Sequence, residues 1–301
     1  MRVVFLGSPA DAVPPLRALV GAGHEVALVV TQPDRRRSRG GGADPSPVKV
    51  EARELDLPLV TPARAREAID EVRATKADLG VVVAFGQLLP PAFLETLPHG
   101  FVNMHFSLLP RWRGAAPVER AILAGDTETG VSLMRIDEGL DTGGVYASAS
   151  TPIRADETAG ELGARLVDLG TDLLLEHLPR IPSIEPVPQR GEPTYAEKLS
   201  VEEFRIDPRR QAAEVARLVR AGNPRPGAWM VVAGRRVKVW RAQVDEGDGV
   251  PGTIVSGGKL VTADGVLRLH EVQPEGRPRM AADAWLAGTR ERTLTVDQEA
   301  K

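Results

Sequence analysis

The first half of the chain alternates short apolar runs with stretches whose apolar residues recur at helical spacing. Val3 to Leu6, Val26 to Thr31 and Val81 to Phe85 are apolar almost throughout, as strands covered on both faces must be. After the first run come a turn at Gly7-Ser8-Pro9 and a helical stretch with a stop at Gly21-Ala22-Gly23. Phe101 to His105, Val131 to Ile136 and Val145 to Ser150 read as further strands. Strands alternating with helices imply a doubly wound, mostly parallel α/β sheet. Thr158 and Glu161 have capping-box spacing, and Leu162, Leu166, Leu169 and Leu173 share one face, so a helix packs back on this body.

From Ile181 to Pro193, prolines and a glycine break the periodicity, as in a semi-rigid linker. Asp207-Pro208 has the form of a cap and first helical residue. The helix it predicts carries Val215, Leu218 and Val219 on one side and Arg209, Arg210, Arg217 and Arg220 on the other. Beyond it, Arg236 to Trp240, Gly252 to Val255, Lys259 to Thr262 and Val266 to Leu269 are short β-type runs punctuated by glycines. They fit a small OB-like β-barrel. The expected organisation is a Rossmann-like domain over 1–180, a linker over 181–206 and an OB-like domain over 207–301.

Composition narrows this picture. The 301 residues carry a formal net charge of −3. From Asp207 onward, however, 16 Lys+Arg stand against 12 Asp+Glu, so a basic appendage follows an acidic body. The absence of cysteine removes disulfides, thiolate metal sites and cysteine nucleophiles. The apolar run near the N-terminus is too short for a signal-peptide core and nothing later approaches a membrane span, so a cytoplasmic protein is expected, and a monomer.

The candidate chemistry lies where an apolar run ends, at Asn103 and His105. Two apart on a strand, they face the same side of the sheet, at an edge where open α/β sheets place ligands. If the glycine-rich turn from Asp137 to Gly144 brings Asp141 to the imidazole, the carboxylate holds the ring and His105 can act as an acid or oxyanion donor. The Asn103 amide then supplies a second donor to the same oxygen. That set suits acyl transfer to an amine and requires no protein nucleophile. A Ser-His-Asp hydrolase using Ser107 fits less well, because no G-x-S-x-G elbow surrounds it. A dinucleotide site after the first strand lacks its second glycine, since Ser8 and Pro9 follow Gly7.

These residues also carry a resemblance. Asn103-x-His105, the run Ser107-Leu108-Leu109-Pro110-x-Trp112-Arg113-Gly114-Ala115-Ala116-Pro117, and Asp137-x-Gly139-x-Asp141-Thr142-Gly143 resemble the signature of the formyltetrahydrofolate-dependent formyltransferases. Gln32-Pro33-Asp34, Ala84-Phe85-Gly86-Gln87, Thr194-Tyr195-Ala196 and Asn223-Pro224-x-Pro226-Gly227-Ala228-Trp229 match in order, and the tail motifs narrow the resemblance to members acting on methionyl-tRNA.

The resemblance implies 10-formyltetrahydrofolate as formyl donor and the α-amino group of initiator methionyl-tRNA as acceptor, with no metal. Asn103, His105 and Asp141 would be catalytic. The folate would contact Phe85, Gly86, Gln87, Leu89, Ser107, Leu108, Leu109, Pro110, Asp137, Gly139 and Leu140, with Phe106 at the rim of its slot. The tRNA would meet Arg35, Arg36, Arg37, Arg39 and Lys49 in the loop, and Arg209, Arg210, Arg217, Arg235, Arg236 and Lys238 in the tail. A formyl-folate transferase acting on a small amine is the nearest alternative, but it needs no basic appendage. A non-catalytic tRNA- or folate-binding relative would be expected to lack an intact Asn-His-Asp set.

Overall fold

The computed structural model describes residues 1–36, 43–289 and 293–297. The chain divides into two compact units, one of residues 1–117, 128–151 and 163–196, the other of residues 118–127, 152–162 and 197–301. In the first unit seven strands form one sheet. They are β1 (Arg2–Gly7), β2 (Glu25–Val30), β3 (Leu59–Val60), β4 (Leu79–Val83), β5 (Phe101–His105), β6 (Glu128–Arg135) and β7 (Val145–Pro152), in the order β7-β6-β5-β4-β1-β2-β3. Pairing is parallel from β3 through β5, and β5 and β6 run antiparallel. The chain leaves β1 to one side for β2 and returns to the other with β4, and that reversal opens a crevice at the carboxyl ends.

The core follows from the apolar runs. Every residue of β4 is buried, as are Val3 to Leu6 of β1. Gly80 in β4 makes room for the Phe101 ring, because a Cβ there would lie 2.0 Å from it. Phe101 packs at a tilt of 42° on Phe93, with centroids 5.2 Å apart, and each such buried ring contributes roughly 1.5–3 kcal/mol. Gly7, by contrast, packs against Ala12 and the Val83 carbonyl, so it serves a close strand–helix contact.

The capping box forms as the spacing predicts. Glu161 accepts the Thr158 amide at 2.9 Å and Thr158 Oγ1 accepts the Glu161 amide at 3.3 Å, opening the helix Ala159–His177 with Leu162 and Leu166 fully buried. The proline-rich stretch has little regular structure of its own. It is nonetheless tied to the first unit, since Val187 exchanges two backbone hydrogen bonds with Val145, and Tyr195–Ala196 pairs in parallel with Arg113–Gly114.

The second unit holds an antiparallel sheet in the order Ala228–Val232, Arg235–Asp245, Val266–Pro274, Lys259–Val261, Thr253–Val255, Leu294–Thr295. A bridge from Val232 to Val296 brings the last strand back to the first, so the sheet curls into a half-barrel of the OB-like kind expected. Register shifts around Arg241 let the longest strand bend. The neighbouring helix, Ala212–Ala221, starts later than Asp207-Pro208 suggested. The Asp207 carboxylate accepts from the Arg209 amide and guanidinium at 2.8–2.9 Å, which closes a turn ahead of the helix. Val215, Leu218 and Val219 are its buried face, as their spacing predicts.

Candidate active site

β5 ends at the crevice, and its alternation sends Asn103 and His105 to one side. His105 is 5% exposed. Its Nε2 lies 2.9 Å from the Trp112 carbonyl oxygen and its Nδ1 lies 3.7 Å from Asp141 Oδ2. A carbonyl oxygen can only accept, so this contact assigns a hydrogen to Nε2 and turns Nδ1 toward the carboxylate. The same Oδ2 accepts the Gly114 amide at 2.8 Å. Gly114 has φ +124, and a Cβ there would lie 2.6 Å from the Ala196 carbonyl oxygen, so only glycine lets this amide approach. Asn103 is half-buried, and its amide makes no hydrogen bond among the described residues. All three side chains border a cleft of about 810 Å³, a size suited to a small organic ligand.

Seven of the eleven residues expected to hold the folate border this cleft: Phe85, Gly86, Gln87 and Leu89 on one wall, and Asp137, Gly139 and Leu140 on the other. Phe106 borders it too. Ser107, Leu108, Leu109 and Pro110 do not. Ser107 is fully buried, its hydroxyl donates to the Arg111 carbonyl, and Ser132 Oγ bonds both the Ser107 carbonyl at 2.8 Å and the Leu109 amide at 3.2 Å. These residues make the turn behind the strand end. The Ser107 hydroxyl is committed there, which removes it as a nucleophile.

The walls are held by specific bonds. Gln32 Nε2 donates to the Phe85 carbonyl at 2.8 Å, and Gln87 Oε1 accepts the Ala65 amide at 2.7 Å. Opposite, Arg135 grips Asp137 through Nε and Nη2 at 2.8 and 3.2 Å, and this bond raises the Arg135 pKa above its ordinary value. Leu88, inside the stretch from Phe85 to Leu89 expected along the folate, is 83% exposed at the cleft. Sequence reasoning missed Gln189. Its Nε2 donates to the Asp141 and Gly143 carbonyls at 2.8 Å each, and its Oε1 accepts from Arg113 Nε and Nη2 at 3.1 and 2.7 Å. A glutamine in a proline-rich stretch carries no signal of that role.

The expected tRNA contacts sort differently. Arg37 and Arg39 lie outside the described residues, and Arg35 and Arg36 pair through their backbones with Asp44 and Ala43. Lys49, its side chain 12% exposed, is bound to Asp34 at 2.6 Å. Arg209 and Arg210 are paired with Asp207 and Glu214 at 2.8 and 2.9 Å, and Arg217 is half-buried with its Nε unpartnered. Arg235 is exposed.

Arg236 and Lys238 belong to a ladder of cations and aromatic rings. Arg236 lies 3.8 Å and Arg205 5.5 Å from the Trp229 ring, while Arg279 lies 3.7 Å and Lys238 Nζ 5.2 Å from Trp240. Burial first, then Arg236 and Arg279, push the Lys238 pKa down. The two tryptophans, Arg205 and Arg279 were not foreseen. The run Arg236-Val237-Lys238-Val239-Trp240 held part of the signal, because its polar positions alternate with buried valines.

Comparisons with known proteins agree with this geometry. A family model described as formyl transferase matches residues 1–178, and one described as formyl transferase, C-terminal domain, matches residues 198–290. The chain is 50% identical over 294 residues to the methionyl-tRNA formyltransferase of Thermus thermophilus, covering 96% of each, and 45% identical over 292 residues to that of Ruegeria pomeroyi, covering 96% of this chain and 97% of the relative. Among solved structures it resembles HypX from Aquifex aeolicus in complex with tetrahydrofolic acid, with a TM-score of 0.70 at 19% identity over 95% of this chain. It spans about half, 47%, of the HypX chain.

Proposed function

The chain belongs to the formyl transferase family, and from that premise we propose that Asn103, His105 and Asp141 carry out formyl transfer from 10-formyltetrahydrofolate to the α-amino group of initiator methionyl-tRNA. The observation that carries the reading is the Asn103–His105–Asp141 cluster at the end of β5, bordering a cleft whose walls are largely those the folate contact requires. Phe85, Leu89 and Ile136 offer apolar surface to a flat ring system, and the backbone from Asp137 to Leu140 offers hydrogen-bonding groups beside it.

The folate supplies a formyl group on nitrogen, open to attack by the acceptor amine. An α-amino group titrates near ~8 and an ester neighbour lowers it, so the acceptor needs positioning more than a strong base. As the amine adds, negative charge gathers on the formyl oxygen. The Asn103 amide donates to it, and so does His105 when Nδ1 carries a proton. Asp141, facing that same nitrogen, offsets the positive charge of the imidazolium. When the carbon–nitrogen bond to the folate breaks, His105 gives a proton to the departing nitrogen, and the proton lost by the amine restores the ring. The cation–aromatic ladder of the second unit contacts tRNA phosphates without reading bases.

The test is a transfer assay on the purified chain with 10-formyltetrahydrofolate, offering methionyl-tRNA or a nucleotide-linked amino sugar as acceptor. Formyl transfer to methionyl-tRNA alone is the expected result. Transfer to the sugar alone would overturn the choice of acceptor, and transfer to neither would overturn the reading.

A further inference from the structure

Asp141 does not hold its own position by side-chain contacts alone. Its backbone is left-handed, with φ +51, and it lies in the turn between β6 and β7. Within the turn, Thr142 Oγ1 donates to the Glu138 carbonyl at 2.9 Å, and a second hold comes from outside it. Gln189 donates both hydrogens of its amide to the Asp141 and Gly143 carbonyls, flanking the turn at two points, and accepts both ends of the Arg113 guanidinium fork. Arg113 is followed by Gly114, whose amide binds the Asp141 carboxylate. The bonds close a ring from Gln189 to the Asp141 backbone, through its carboxylate to Gly114, back along the chain to Arg113, and so to Gln189. Every hydrogen-bonding group of the Gln189 side chain is spent in it.

We infer that Gln189 is a positioning residue for catalysis: it clamps the turn that carries Asp141 to the strand that carries Gly114, and so sets the distance between the Asp141 carboxylate and the His105 ring. The inference rests on the assignment of Asn103, His105 and Asp141 as the reacting set. Among the described residues Gln189 hydrogen-bonds none of the three side chains and does not border the cleft, so its substitution removes no group from the binding surfaces. A carboxylate displaced by about an ångström changes the rate of the chemical step and leaves substrate affinity alone.

Two variants separate the halves of the clamp. Gln189→Met keeps the length and removes every bond. Gln189→Glu keeps the acceptor for Arg113 and removes both donors to the turn. In full-length protein, each is expected to lower kcat on the order of 10- to 100-fold, with KM for methionyl-tRNA within about twofold of the parent. The Gly114 amide proton, read by NMR, reports where the Asp141 carboxylate sits and should move in both variants. Parental kcat in either folded variant, a loss confined to KM, or an unmoved Gly114 resonance would each overturn the clamp. Should Gln189→Met not fold, Gln189→Glu decides alone. A parent protein that transfers no formyl group refutes the functional reading instead, and the Gly114 resonance still tests the clamp.

Discussion

The two units place polar groups under opposite constraints. At the end of β5, three side chains sit at a crevice, and two of them are fixed by backbone partners: His105 by the Trp112 carbonyl and Asp141 by the Gly114 amide. On the half-barrel, four cations lie over two tryptophan rings, through contacts with no hydrogen-bond geometry to satisfy. The first arrangement is singular, because no second side chain duplicates the role of any one of the three. The second is plural, because any one cation is a fraction of a field. Loss should therefore be steep in the crevice and shallow on the ladder.

The largest expected effect is at the crevice. His105→Ala should lower turnover by about 10²- to 10⁴-fold with folate affinity kept, and Asn103→Ala by about 10²- to 10³-fold, both read in steady-state transfer. A loss of less than tenfold at His105 would place the chemistry elsewhere. Arg236→Ala should weaken methionyl-tRNA binding by roughly 3- to 10-fold, leave kcat unchanged, and lower the slope of log affinity against log salt by about 1. If it matched the His105 effect, the contrast between singular and plural sites would be gone.

The smallest effect belongs to a position in neither site. Thr158→Ala removes a helix cap and should cost about 1 kcal/mol in urea unfolding at neutral pH. The pKa of Glu161 is lowered, first by the Thr158 amide, then by its hydroxyl, and further by Arg241. A depressed carboxylate stabilises the fold above its unfolded pKa and loses that contribution as pH falls through the folded value. The difference between parent and variant should accordingly shrink in acid, below the usual carboxylate range.

The sheet was legible because burial on two faces writes long apolar runs, and Asn103 and His105 were legible because they interrupt one. Asp141 came from its glycine-rich turn. Less could be read where a residue acts through its backbone or through a neighbour. The Trp112 carbonyl has no side-chain signature, and Gln189 reaches Asp141 from 48 positions away. The Asp207-Pro208 signal misplaced the start of the helix Ala212–Ala221, because Asp207 caps a turn as readily as it caps a helix. The residues from Ser107 to Pro110 taught a related lesson. A motif that marks a family can lie behind the cleft and shape it without bordering it.

The left-handed backbone at Asp141 has a consequence for evolution and engineering. A left-handed residue with a side chain costs up to about 1–2 kcal/mol, less for aspartate, and here the carboxylate offsets it by accepting the Gly114 amide. Asp141→Gly would relieve the backbone but leave that amide without its acceptor, so the bond that steadies the fold at Gly114 is also the one that holds the carboxylate for turnover. In a stability screen of this chain, Asp141→Gly should therefore bring no gain in thermal tolerance.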